Sequence, residues 1–480
     1  MSRTLLAAVF APLAGLFILT LGNGFFSTLV TVRLDHEGAS ATAVGLVSAA
    51  YYAGLVLGAF RSERLIARIG HIRAYSTFAS MMAVAALGHA LWMNLPFWGL
   101  LRLVAGFCMA GLFVAVESWL LAAATAGTRG RVLALYNIAF FAATGAGQFL
   151  LEVMDTNSIM PFLLLSVTCS LSILPMALTR VSAPQIETAM PLSLFSLLRL
   201  SPTGVVGCLI AGGMLAALYS LLPLFLKQTT DTLAMVARMM AVTIAGGLLL
   251  QYPIGKLSDR LDRRIVLLGL AGVVVLCSIV AALGYHNLRV LSCTLFLLGG
   301  AAFTLYPVAI SHAADGLEPN QMVGATQGLL LSYSVGAALS PVLAGPAMGQ
   351  VGPTGFFLFT GSISLGLVFF FLWRLRDGHA VAVADHQAYV VRPAVTPVGA
   401  ELDPMAARQA TLDLTAKADL PEAQVWEGQV PEPIIHEVLQ NADASAESGA
   451  VNDRVVDELQ AANQARWQQG AANSESSMTT

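Results

Sequence analysis

Two charged side chains, Arg102 and Glu117, stand inside one apolar stretch, "PFWGLLRLVAGFCMAGLFVAVESWLLAA" (96–123). A carboxylate in such surroundings is desolvated, which raises its pKa and suits it to take up and release a proton. An arginine there stays charged and needs an anion, a π face or water. At 1.5 Å per helical residue the two lie about 22 Å apart, so they do not pair directly. The functional expectation makes Glu117 a protonatable carboxylate in a cavity and Arg102 a partner that shifts with it. The bland alternative is a snorkelling arginine and an interfacial glutamate. His312 and Asp315, three residues apart near the end of another apolar run, share a helix face and form either a titrating pair or a polar cap.

A polar cluster of another kind is "GKLSDRLDRR" (255–264), with a weaker copy, "RLIARIGHIR" (64–73), about 190 residues earlier. Neutral polar groups are scattered through otherwise apolar runs: Asn23, Tyr136, Asn137, Gln148, Tyr219, Tyr306, Gln327 and Tyr333, with Arg238 as a further charged candidate. Each must find a partner or water. They are candidates for a substrate cavity, and their amides and phenols suit a small neutral or amphipathic solute better than a polyanion. Helix-to-helix hydrogen bonding is the competing role. There is no P-loop and no nucleophile motif, so the chain is not expected to be an enzyme. The five cysteines lack CxxC spacing, and no metal or other cofactor is expected.

The elements that hold these residues follow from composition. The 480 residues are 56% hydrophobic and 11% charged, with a mean hydropathy of +0.73. Soluble domains carry about 25% charged residues, so a water-soluble body is excluded. A helix needs about 20 apolar residues to cross a bilayer, and that unit can be laid along the chain twelve times. The expected spans are 5–32, 43–60, 74–94, 96–123, 132–153, 159–179, 203–226, 233–254, 265–285, 288–312, 324–348 and 354–375. Proline is expected to bend spans seven, ten and eleven at Pro223, Pro307 and Pro341. Small residues recur every four positions from Gly324 to Ala344, and at Ala50, Gly54 and Gly58. Such stripes let helices approach closely, for static packing or for a sliding surface between halves.

Short loops rich in arginine and lysine stay cytoplasmic. "RSERLIARIGHIR" (61–73), "TRGR" (128–131), Arg180 with Arg199, and 255–264 hold most of these residues, so both termini are expected in the cytoplasm. Spans one to six also resemble seven to twelve at an offset near 190, which gives two six-helix halves. Parallel repeats of this kind place substrate sites near the membrane midplane. The expected divisions are 1–185, 186–376 with a linker, and 377–480.

Gly255, Leu257, Asp259, Arg260, Arg263 and Arg264 resemble the loop pattern G-x-L-x-D-R-x-G-R-R of the major facilitator superfamily; Asp262 stands where the family has glycine. The earlier copy keeps Arg68, Gly70 and Arg73 but has Glu63, Ala67 and His71 at other motif positions. "RLVAGFCMAG" (102–111) is similar to the family's R-x-x-x-G stretch, a helix tied to proton coupling. The resemblance covers residues 1 to about 376 and is closest to the bacterial YcaD-type branch, for which it supplies no substrate. It implies an all-α membrane fold of twelve helices, a secondary transporter of the bacterial inner membrane that acts as a monomer, and proton coupling. In the family the loop aspartate meets the helix opposite it, so Asp259 would contact the start of span five with its Arg129 and Arg131, closing a cytoplasmic gate.

Beyond Arg376 the character changes. The chain holds 20 basic and 12 acidic residues up to that point, a net of +8, and 5 against 16 beyond it, a net of −11. The tail is rich in Ala, Pro and acidic residues, as disordered segments are, and is a candidate to bind a cytoplasmic partner. The expected partners are therefore lipid, a small solute, protons and a tail-binding protein, with no nucleic acid. The competing class is a receptor or scaffold that keeps a transporter fold and signals through its tail.

Overall fold

The computed structural model describes residues 3–125, 127–178, 194–230, 232–315 and 322–376, and expectations for the tail and the 186–193 linker lie outside these residues. Long apolar stretches in lipid must satisfy their backbone groups internally, which produces helices throughout despite 43 glycines and 20 prolines. They are α1 (Arg3–His36), α2 (Ala41–Ile69), α3 (His71–Leu91), α4 (Leu95–Ala123), α5 (Arg129–Gln148), α6 (Leu150–Val153) and α7 (Met160–Ala177) in the first half. The second half has α8 (Leu194–Leu200), α9 (Pro202–Ser220), α10 (Leu222–Thr229), α11 (Leu233–Ser258), α12 (Arg263–Gly284), α13 (Leu288–Asp315), α14 (Met322–Val351) and α15 (Gly355–Arg376). Among the described residues, 12 helical segments are long and apolar enough to cross a membrane, with α5–α6 and α9–α10 each counting as one. Their outward faces are apolar too: Val84, Leu91, Leu249, Leu283 and Phe369 are exposed. A helix that is apolar all round belongs in lipid.

Side chains set several boundaries. Ser40, Asn94 and Thr232 accept hydrogen bonds from the backbone N–H groups of Ala43, Phe97 and Met235, and so open α2, α4 and α11. Proline acts unevenly. Pro223 lies just after the break at Leu221 that separates α9 from α10, whereas Pro307 and Pro341 sit within continuous helices.

The two loop copies differ for a physical reason. α2 and α3 are joined by one residue, Gly70, at φ 86° and ψ 158°, a region that only glycine occupies without strain. The equivalent position between α11 and α12 is Asp262. That link spans Asp259 to Asp262, and Asp262 has φ −56°. With a longer connection the chain needs no positive φ, and the residue is freed to cap α12 through the Arg264 N–H at 2.9 Å.

Packing repeats with the sequence. α2–α4, α1–α5 and α3–α7 pair in the first half, and α11–α13, α9–α14 and α12–α15 pair correspondingly in the second. Between the halves, α2 packs on α14 and α5 on α11, the same pairing with the halves exchanged. Glycines allow both kinds of approach. A side chain at Gly336 would strike the Leu209 carbonyl, and one at Gly54 the Leu103 carbonyl, so this part of each stripe serves packing inside a half. Gly45 and Gly345 instead meet Pro341 and Ala41 across the halves.

Candidate functional site

Between the halves lies a cavity with about 130 Å³ of room for the centres of water molecules. It is walled by α1, α2, α4, α5, α9 and α14, mostly through residues in the middle of these helices. Asn23, Tyr219 and Tyr333 line it, as the sequence suggests. The Asn23 Oδ1 and the Tyr219 hydroxyl are buried with no protein partner. Among the described lining residues none is charged.

Other sequence candidates form the layer behind. Tyr306 packs against Tyr333 with ring centroids 4.8 Å apart and planes tilted by 59°. Gln148 donates to the Gly24 carbonyl at 2.6 Å and accepts from Thr28 at 3.0 Å, tying α5 to α1. Asn137 donates to the Leu133 carbonyl at 2.8 Å, and Gln327 is buried in α14. Arg238 stands elsewhere: it pairs with Glu152 at 3.0 Å near the α6 end of the bundle and does not line the central cavity.

Sequence reasoning passes over Ser27, Tyr51, Tyr52, Thr144 and Ser334, which also line the cavity. The signal for two of them was the "YY" pair in span two, a helix not counted as cavity-forming.

Glu117 and Arg102 are both sequestered, at 0% and 2% exposure. Glu117 accepts the Tyr136 hydroxyl at 2.6 Å, a short charge-assisted geometry. This joins two residues to which the sequence assigns different roles. Arg102 donates from Nη2 to Ser27 at 3.1 Å, and its guanidinium carbon lies 4.2 Å from the Tyr51 ring centroid and 5.0 Å from that of Phe26.

At the arginine-rich end, Arg263 is fully buried and reaches Asp315 at 2.7 Å and Asp259 at 3.5 Å. Asp315 therefore belongs to the loop network, and neither it nor His312 lines the cavity. Gly255 is buried, while Arg260, Arg68 and Arg131 are exposed and Arg129 is half-buried. Partial burial pushes the Asp262 carboxyl up, but hydrogen bonds from Arg264 outweigh this and hold it below its ordinary 3.8.

The opposite end is pinned across the halves. Gln228 donates to Asp35 at 2.9 Å, Arg238 pairs with Glu152, and Thr31 donates to the Ser220 carbonyl at 2.9 Å. The Gly45–Pro341 and Gly345–Ala41 approaches lie at the same end. A central cavity between two pseudo-symmetric helical halves, held shut at one end, defines a multi-pass membrane transporter.

Comparison with known proteins makes this specific. The model of the Major Facilitator Superfamily matches residues 13–330 and 204–396. The chain is 36% identical over 379 residues to an uncharacterized MFS-type transporter, YcaD, of Escherichia coli O17:K52:H18 (strain UMN026 / ExPEC), covering 78% of this chain and 97% of that one. The same identity and coverage are found with YcaD of strain K12 / DH10B. The chain belongs to the Major Facilitator Superfamily. Its fold is similar to the crystal structure of the nucleoside transporter NupG (TM-score 0.64, 13% identity, 78% of this chain and 100% of that one). It is also similar to a bacterial homolog of the human lysosomal transporter Spinster in an inward-facing and unoccupied conformation (TM-score 0.58, 14% identity, 86% and 99%).

Proposed function

We propose that the protein is a proton-coupled secondary transporter that carries a small solute across the bacterial inner membrane by alternating access. The observation that carries this reading is the cavity between two halves that are pinned together at one end by contacts that can separate. The positive-inside rule supports a cytoplasmic position for the arginine-rich end and both termini. The conformation then has its outer side closed. On this reading Asp259 with Arg129 and Arg131 forms the cytoplasmic gate, which opens and closes in turn with the outer end.

Glu117 is the proton site. A buried carboxylate is costly as an anion and neutralises readily. Its bond from Tyr136 couples its protonation to α5, a helix that packs on α11 of the other half. Glu117→Gln keeps an acceptor for the Tyr136 hydroxyl but cannot ionise. A deletion strain and its complement, screened for uptake and efflux with and without an uncoupler, identify the solute. In proteoliposomes the Glu117→Gln variant should exchange that solute but not accumulate it along a pH gradient. Undiminished gradient-driven accumulation by this variant refutes the proton role.

A further inference from the structure

Arg102 is the starting point. A guanidinium has five N–H donors, and among the described residues only Nη2 finds a hydrogen-bond acceptor, Ser27. Nε and Nη1 are buried without one. No acidic side chain pairs with Arg102 among the described residues. The Tyr51 and Phe26 faces offset part of the burial cost but satisfy none of the remaining donors.

The scaffold does not require this charge. At the equivalent height in the second half, an offset of 190 to 192 places Ser292 to Thr294, and α13 packs on α11 as α4 packs on α2 without a cation there. Two of the residues that touch Arg102, Ser27 and Tyr51, line the cavity. The cation thus lies one side chain behind a wall that carries no charge of its own.

We propose that the solute is a monoanion, a carboxylate on an aromatic or apolar body, and that Arg102 receives its carboxylate at the corner formed by Ser27 and Tyr51. This rests on the transporter reading and names its substrate class. A carboxylate accepts two parallel N–H bonds from one guanidinium edge, Nε with Nη2 or Nη1 with Nη2, and so satisfies one of the two nitrogens that lack acceptors. A single cation balances a single negative charge; a dianion would bring an uncompensated charge into a wall of phenols and apolar side chains. Tyr52, Phe113 and Phe140 give the body of the solute aromatic faces. The unpartnered Asn23 Oδ1 and Tyr219 hydroxyl offer one acceptor and one donor for a polar substituent at its far end.

The test is binding by the full-length chain in detergent at pH 7, read as the rise in Tm with ligand concentration. The probes are benzoate, 4-hydroxybenzoate and hexanoate, each beside its neutral amide. At least one acid should bind about tenfold or more tightly than its amide, a difference of about 1.4 kcal/mol. Arg102→Gln should reduce that preference to near unity. The wild-type comparison decides the matter even where the variant does not fold. Equal binding of acids and amides overturns the proposal, as does no stabilisation by any acid or an acid preference that survives in Arg102→Gln. Exchange of the bound acid in proteoliposomes separates the two readings: binding without exchange removes transport of that acid and leaves the anion site standing.

Discussion

Gly45 tests whether the closed end is a gate or merely part of the packing. A methyl added there would overlap the Pro341 carbonyl oxygen, approach its carbon at 3.1 Å and lie 3.5 Å from the Gly345 Cα. These are backbone atoms, so no rotamer change relieves the overlap. Overpacking of this kind costs about 1 to 3 kcal/mol. Inside a single rigid body that cost would fall on folding. Here α2 and α14 belong to different halves, so a conformation in which they separate escapes it. A bias of 1 to 3 kcal/mol shifts a two-state population by roughly 5- to 150-fold. One of the polar contacts at this end is weak: the Arg238–Glu152 pair has a half-exposed arginine and is worth at most about 1 kcal/mol. Gly45→Ala should therefore enrich conformations open at this end, seen as a longer distance between spin labels on the α1–α2 and α14–α15 connections. The control is Gly106→Ala, whose methyl would strike the Tyr51 carbonyl within the first half and should lower Tm without opening the end. Unchanged distances in Gly45→Ala, or a fall in Tm equal to that of Gly106→Ala, would refute the reasoning.

Two further predictions concern the loop copies. Gly70→Ala should cost about 1 to 3 kcal/mol, measured as a lower Tm in detergent, because its φ of 86° strains any side chain while nothing lies within 4 Å of the new methyl. Asp315→Asn should destabilise by about 1 to 3 kcal/mol, because Arg263 loses its carboxylate at 2.7 Å while keeping Asp259 at 3.5 Å, and Arg263→Met with Asp315→Leu together should recover most of that loss in the same melt.

The architecture was legible because it rests on local properties. Length, apolarity and the positions of arginine fix twelve spans and their repeat, and the stripe glycines Gly54 and Gly336 mark where backbones meet. What could not be read locally was the break after Ser220 against the continuous helix through Pro307. Both sequences offer a proline in an apolar run, and only the surroundings decide whether the chain interrupts itself. The same holds for Asp315, which lies three residues from His312 in sequence but is drawn to Arg263 by packing of α12 on α13.

The candidate site shows this limit most sharply in Arg102 and Glu117. Sequence places both charges at membrane depth and excludes their pairing by distance along the helix. It cannot say what else each one meets, since Tyr136 lies 19 residues from Glu117 and Ser27 lies 75 from Arg102. The two charges then prove unlike in consequence. Glu117 has a phenol as a protein donor, and on the proposed reading it exchanges its proton without a solute present. Arg102 has two aromatic faces and one hydroxyl, and on the proposed reading a solute carboxylate from the cavity side completes its shell. On these readings a transporter with one half carrying both groups couples them through α4 itself: proton release at Glu117 and solute capture at Arg102 act on the same helix, about 22 Å apart along its axis. A tilt of α4 that the proton sets would then be felt at the solute's carboxylate. Substituting either residue should uncouple the two fluxes rather than merely slow both.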